Sequence, residues 1–367
     1  MEKAAFLASK GRRQKQIAAD LGVSAPTVNR LLAEASKQGI LIPRHPKLNV
    51  TPDRARELEK QVFGQQALFE RLERLSDGRL QSLEVYPVAN AENVLTGVTS
   101  NAAHYVVDRI VNQPRIVAIT WGTTMRALVS EIQNLAKRSS RERLEQSPPT
   151  FIQLTGDPAA AIADPSLQSA TFVSDLNTVF GKKTTSKFSY SVSALIPRQY
   201  RKQGELKIIK DFIGGTAGYA NVFCLDTDGT TQLIPEVDTL LTGCRGKFGH
   251  DRWLIECAAN LEIPPETLED ITIGNIGGYW LPRDTNSRAE NDIVDELNAR
   301  WTGIHRRDFE KIARRRGVIL VAAEEHKFEI VRHLVSEGLV SVLLISSALA
   351  DRMEEDMSSG DAAGGQT

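Results

Sequence analysis

The chain has 367 residues, 41% hydrophobic and 25% charged, an ordinary globular composition with material for two folded units and a linker. Its net charge of −1 conceals an imbalance: residues 1–50 hold nine Lys and Arg against three Asp and Glu, a surplus of +6 that leaves −7 for the remainder. No apolar run matches a membrane span and MEKAAFLASKGRRQK lacks the apolar core of a signal peptide, so a cytoplasmic protein with a nucleic-acid contact confined to its basic head is expected.

The head carries a specific spacing in QKQIAADLGVSAPTVNRLLAEASKQGIL, residues 14–41. Ile17, Ala18 and Leu21 give one helix an apolar face, and Gly22 suits the left-handed residue that ends it. Ser24 is placed to cap a second helix, whose inner face is Val28, Leu31 and Leu32. This is the pattern of a DNA-binding helix-turn-helix, whose second helix enters the major groove. The candidate base-facing residues are Ser24, Ala25, Pro26, Thr27, Asn29 and Arg30, short or polar side chains around the helix start. Arg12, Arg13, Lys15, Lys37 and Arg44 suit phosphates, and residues 39–50 read as a short hairpin or wing. The competing reading is a helical hairpin that only packs on the body.

Residues 51–78 predict a connector helix with an apolar seam at Leu58, Val62, Leu68, Phe69, Leu72 and Leu75, and a break at Gly64. Such a seam either pairs with a second copy, which suits paired half-sites, or packs on its own chain.

From about residue 80, β-rich runs alternate with amphipathic stretches. Strands are expected at 115–120, 150–156, 187–195, 237–244, 270–276, 317–323 and 339–346, and helices at 92–111, 124–138, 166–180, 251–261, 307–316 and 327–339. This alternation predicts an α/β domain over 79–353, an open, doubly wound and mostly parallel sheet whose ligand sits beyond the strand carboxyl ends. Four turns fall at such ends: WGTT (121–124), TGCRG (242–246), GNIGG (274–278) and AAEEHK (322–327). WGTT offers backbone N–H groups and hydroxyls at a helix start, an anion cup, unless Thr123 simply caps the helix. Cys224, Cys244 and Cys257 have no metal-ligand spacing and the six His form no HExxH or HxH, so neither metal nor cofactor is expected. The segment from Glu354 has too little apolar surface to fold and reads as a disordered tail.

Taken in order, the helix-turn-helix, ITWGTTMRAL, DTLLTGCRG, GNIGGYWLPRD and the closing run from ARWTGIHRRDFEKIA to LVSVLLISSALAD resemble the SorC family of sugar-binding transcriptional regulators over nearly the whole chain. The resemblance implies a body related to sugar-phosphate isomerases and deaminases, used as a sensor, and a homodimer or homotetramer on operator DNA. It implies that Gly122, Thr123, Thr124 and Lys327 hold the effector's phosphate, with Gly243, Arg245 and Asn275 near its sugar. Two positions depart from the family's pattern: Asn275 where Asp is usual, and Ala323-Glu324 where Gly-Gly is usual. A carboxylate at 324 opposes a bound phosphate unless it turns outward or Lys327 neutralises it, and it equally suits the hydroxyl of an unphosphorylated sugar or polyol.

The expected function is therefore a transcriptional regulator, a repressor relieved by a sugar phosphate or polyol, acting on carbohydrate catabolism genes. An isomerase- or deaminase-like enzyme with a fused DNA-binding head is the alternative, but Asp175, Glu236, Asp238 and His250 form no recognisable catalytic grouping. A recombinase or transposase accessory lacks a candidate acidic triad or Ser nucleophile.

Overall fold

The computed structural model describes residues 1–9, 12–42, 47–48, 50–51, 65–87, 93–112, 116–138, 149–158, 165–180, 190–200, 203–223, 234–247, 251–315 and 317–364. They form two compact units, Met1–Arg71 and Leu72–Thr367.

In the first unit α1 (Glu2–Ser9), α2 (Gln14–Asp20) and α3 (Ala25–Lys37) surround a small core of Ala4, Leu7, Ile17 and Val28. Complete burial of a side chain the size of Val28 stabilises by about 1.5–3 kcal/mol, a large share for so small a core. Between α2 and α3 the chain reverses through Gly22 at φ +61°, and Ser24 Oγ accepts from Thr27 N at 3.4 Å. A cap of this kind contributes on the order of 1 kcal/mol. Helix α1 was not expected from the sequence, although its Ala4 and Leu7 are spaced three apart and share one face. A two-stranded antiparallel hairpin follows, β1 (Leu41–Ile42) with β2 (Lys47–Leu48), where a wing was expected. Arg44 and the first half of the predicted connector, 52–64 with Gly64, lie outside the described residues. Helix α4 (Gln65–Leu75) is the described part of that connector, and two of its seam residues, Leu68 and Leu72, are buried within the single chain.

The second unit is an α/β sheet. Six parallel strands take the order β3-β10-β9-β6-β4-β5, with ranges Ser82–Tyr86, Val342–Ser346, Val318–Ala322, Thr239–Arg245, Ile116–Ile119 and Thr150–Gln153. Strands β9 (VILVA) and β10 (VLLIS) are buried at every position, as sheets covered on both faces require. One face packs under α5 (Val94–Asn112), α6 (Thr123–Arg138) and α7 (Ser169–Val179), using alternate strand residues such as Val117, Ile119, Leu241, Ile319 and Val321. After β5 the chain runs through α7, α8 (Gln203–Gly214) and α9 (Ala217–Phe223) before re-entering the sheet at β6. Beyond β6, α10 (Arg252–Leu261), α11 (Pro265–Ile271) and α12 (Arg288–Arg300) build a second cluster around Trp253, Trp280 and Trp301. Helices α13 (Arg306–Ala313), α14 (Phe328–Ser336) and α15 (Ser347–Gly364) close the chain, α13 against β9 and α15 against β10.

The sheet departs from expectation in three places and the last helix in one. Residues 272–276 form β7, but antiparallel to the end of β6, and Gly277 and Gly278 (φ +55° and +98°) then make a two-residue hairpin to an unexpected β8 (Tyr279–Pro282). The described part of 187–195 is no strand and carries only isolated bridges, Asp157 to Ser193 and Leu195 to Trp301. Edge strand β3 was missed; its SLEVY alternates too briefly to stand out. The segment from Glu354, read as disordered, continues α15 to Gly364, anchored upstream by the buried Leu349 and Met353 at i,i+4 spacing.

Candidate functional site

Strand order fixes where a ligand can sit. From β4 the chain leaves to β5 on one side, whereas from β6 it leaves to β9 on the other. Adjacent strands whose connections diverge open a crevice beyond their carboxyl ends, the usual ligand position of doubly wound sheets. A cavity of about 510 Å³ lies there. All four turns singled out in the sequence reach it, and so do all eight predicted effector residues: Gly122, Thr123, Thr124, Gly243, Arg245, Asn275, Glu324 and Lys327.

Each side chain arrives by a local rule. Helix α6 begins at Thr123, so its first N–H groups, which lack intrahelical partners, start at the cavity wall. Thr124 is buried there and Thr123 exposed. Gly243 on β6 admits this first turn: a Cβ at 243 would stand 3.2 Å from Thr124 Cβ. Asn275 pairs with Arg245 across the β6–β7 ladder, and its Nδ2 is buried without a hydrogen-bond partner among the described residues. Lys327 ends the short 3-10 turn after β9 and is only 8% exposed.

Two cations of the wall, Lys327 and Arg245, are paired. Lys327 Nζ lies 2.8 Å from Glu324 Oε2. Burial pushes the Glu324 carboxyl upward, but the Lys327 ammonium outweighs it and holds the group below the usual carboxylate range. Arg245 Nε donates to Asp251 Oδ2 at 2.7 Å, its Nη2 lies 3.6 Å from Glu269 Oε1, and its guanidinium stands 5.7 Å from the Trp280 ring. The other oxygen of Asp251 caps α10 by accepting from Leu254 N at 2.7 Å. Burial lowers His326, with the Lys327 charge adding to it, so the imidazole is neutral near pH 7. Burial also pushes the Cys244 thiol up to about 12, making it a poor nucleophile.

Leu167, Asp251, Arg252 and Trp253 also line the cavity and were not anticipated. Trp253 stands edge-on to Trp121 at 5.2 Å and to Trp301 at 5.7 Å, so one indole links the cavity to the second core. The DRW that opens α10 was a visible helix start, but nothing in the sequence placed it beside WGTT, 130 positions earlier. The catalytic candidates do not assemble. Asp238 Oδ2 accepts from Ile116 N at 3.2 Å, tying β4 to β6, and Asp175 and Glu236 lie on α7 and a separate 3-10 turn. His250 lies outside the described residues.

In the first unit, Arg12, Arg13, Lys15, Ser24, Pro26, Asn29, Arg30 and Lys37 are exposed, and Ala25 and Thr27 are half-buried. Ser24 Oγ and Thr27 Oγ1 lie 2.9 Å apart, so these hydroxyls are engaged with each other. Arg12 Nε reaches within 4.0 Å of Asp20, an exposed pair of small energetic weight.

No protein-family model and no curated protein matches the chain. Solved structures do. A DeoR family transcriptional regulator from Listeria monocytogenes has a TM-score of 0.57 at 18% identity, over 79% of this chain and 99% of that one. The full-length sorbitol operon regulator SorC from Klebsiella pneumoniae has a TM-score of 0.53 at 17% identity, over 95% of this chain and 96% of that one. A transcriptional regulator from Streptococcus pneumoniae TIGR4 has a TM-score of 0.57 at 15% identity, over 80% of this chain and 98% of that one. At these identities the likeness is one of fold, and the α/β architecture expected from the sequence is the one these regulators share.

Proposed function

We propose that the chain is a sugar-responsive transcriptional regulator of the SorC type, a DNA-binding head controlled by a carbohydrate-sensing body. The observation that carries this reading is the cavity at the switch point, where four turns from separate parts of the sequence converge. Support also comes from the likeness of fold to the full-length SorC regulator, which extends over 95% of this chain. In this reading residues 1–50 are a helix-turn-helix domain, 51–78 a connector, and 79–353 the effector-binding domain. Asn29 and Arg30 read base edges, while Arg12, Arg13, Lys15 and Arg44 hold phosphates. Gly122, Thr123, Thr124, Gly243, Arg245, Asn275, Glu324 and Lys327 bind the effector. The protein acts in the cytoplasm as a dimer or tetramer, so that two heads meet two half-sites. As a repressor, it releases DNA when the effector favours a second arrangement of the subunits. The enzyme reading loses ground because Asp238 is occupied in holding the sheet and the Cys244 thiol is kept protonated.

The test is selection of bound sequences from a random DNA library with the purified full chain. A two-fold repeated motif is expected. Asn29→Ala and Arg30→Ala should each lower the specific-to-nonspecific affinity ratio by about 1–3 kcal/mol. Recovery of no enriched sequence would exclude a sequence-reading role for the head.

A further inference from the structure

Phosphate esters and uncharged polyhydroxy compounds share a carbon skeleton but need different walls. Near neutral pH a phosphate ester brings nearly two negative charges and strong acceptors with few protons to donate. A polyol brings no charge, and each hydroxyl both donates and accepts.

The cavity wall has the second pattern. Its two less exposed cations are compensated before any ligand arrives: Lys327 by Glu324 at 2.8 Å, and Arg245 by Asp251 at 2.7 Å with Glu269 at 3.6 Å. Arg252 lines the cavity too, but as an exposed residue. A phosphate drawn to the first turn of α6 and to Lys327 meets the Glu324 carboxylate beside the same ammonium, and like charges there repel. A hydroxyl meets the same carboxylate as an acceptor. Trp121, half-buried in the wall, adds an apolar ring surface for the C–H face of a sugar or polyol chain.

We infer, resting on the reading of this cavity as the effector site, that its ligand is an uncharged polyhydroxy compound, a free sugar or alditol. Glu324 is the residue that selects it: it accepts hydroxyl protons, holds Lys327 in place and turns phosphate esters away.

Titration calorimetry on the full chain tests this with paired probes: xylitol, D-sorbitol, D-mannitol, D-ribose and D-glucose, the monophosphate of each, and inorganic phosphate. At least one free compound should bind about tenfold or more tightly than its own ester. Glu324→Gln, which keeps shape but loses charge, should weaken that compound by about tenfold. Glu324→Gly should raise the affinity for its ester by about tenfold or more, as the repulsion is lifted. An ester that binds the natural chain more tightly than its parent, and loses affinity in Lys327→Met, overturns the inference while leaving the effector reading intact. A free compound that binds Glu324→Gln unchanged removes Glu324 as the selecting residue. If no probe of either kind binds, the effector reading fails and the inference with it. The comparison of esters with parents on the natural chain needs no variant, so a misfolded variant does not decide it.

Discussion

Replacing Lys327 by Met removes the positive half of the pair that organises the cavity while keeping the bulk of the side chain. Exposed pairs contribute about 0–1 kcal/mol, and stripping one partner from a fully buried pair costs about 3–5 kcal/mol. This pair lies between those limits, with side-chain exposures of 10% for Lys327 and 34% for Glu324, so a loss of about 2 kcal/mol is expected at pH 7. The pH dependence supplies the sharper test. In the natural chain the folded Glu324 titrates below its ordinary 4.5, so its stabilisation is present above that pH and is lost as pH falls through the folded value. In Lys327→Met burial, the largest cause, is opposed only by a backbone hydrogen bond and His326, so the folded pKa rises and the charge loses its stabilising effect. The gap between the two proteins should therefore be full at pH 7 and shrink markedly by about pH 4. Urea denaturation at both pH values measures it. Adding Glu324→Gln should recover at least half of the loss, because the uncompensated charge is then gone. An equal loss at both pH values, or strict additivity in the double variant, would refute the electrostatic account of this pair.

Two further outcomes follow from packing and burial. Gly278→Ala places a Cβ 2.2 Å from the Trp301 ring at φ +98°, so unfolding free energy should fall by about 3 kcal/mol or more, with altered tryptophan fluorescence; a loss under about 1 kcal/mol would show that the ring can move aside. Burial, aided by Lys210 and Arg307, lowers His305 to about 4, so its contribution is complete above its unfolded 6.5 and is lost as pH falls from there to about 4. His305→Asn should lack that slope, up to about 3 kcal/mol across the window. Asp157, pushed up to about 6 by burial, acts in the opposite sense, but is common to both proteins and cancels in their difference.

Most of the fold was legible because its strongest signals are local. Val28, Gly22 and Ser24 each state a backbone requirement, and the runs VILVA and VLLIS are too continuously apolar for a half-exposed strand. What failed was non-local or brief. The β7–β8 hairpin required choosing Gly277-Gly278 as a tight turn over the parallel pattern of its neighbours, though the two-residue glycine signal was present. The short edge strand β3 takes its place from pairing with β10, at the far end of the chain. At the site, the four turns were visible as glycine- and hydroxyl-rich segments following strands. Their convergence depended on the strand order, which no local pattern encodes. Asp251 and Trp253 were missed for the same reason: a charge and an indole at a helix start are common, and only the return of β6 brings them to the cavity. The pairing of Glu324 with Lys327 was readable from their separation of three positions, while the compensation of Arg245 by Asp251 and Glu269 needed the folded chain.

The central claim is that occupying the body's cavity changes how tightly the head holds DNA. The direct measurement is fluorescence anisotropy of the selected DNA titrated with the full chain, with and without a saturating amount of the compound that binds in calorimetry. The account predicts a change in DNA affinity of about 5- to 150-fold, the ordinary range of coupling between two sites, and its loss when Asn275→Leu or Lys327→Met empties the cavity. Unchanged affinity, within about twofold, with the compound bound would contradict it.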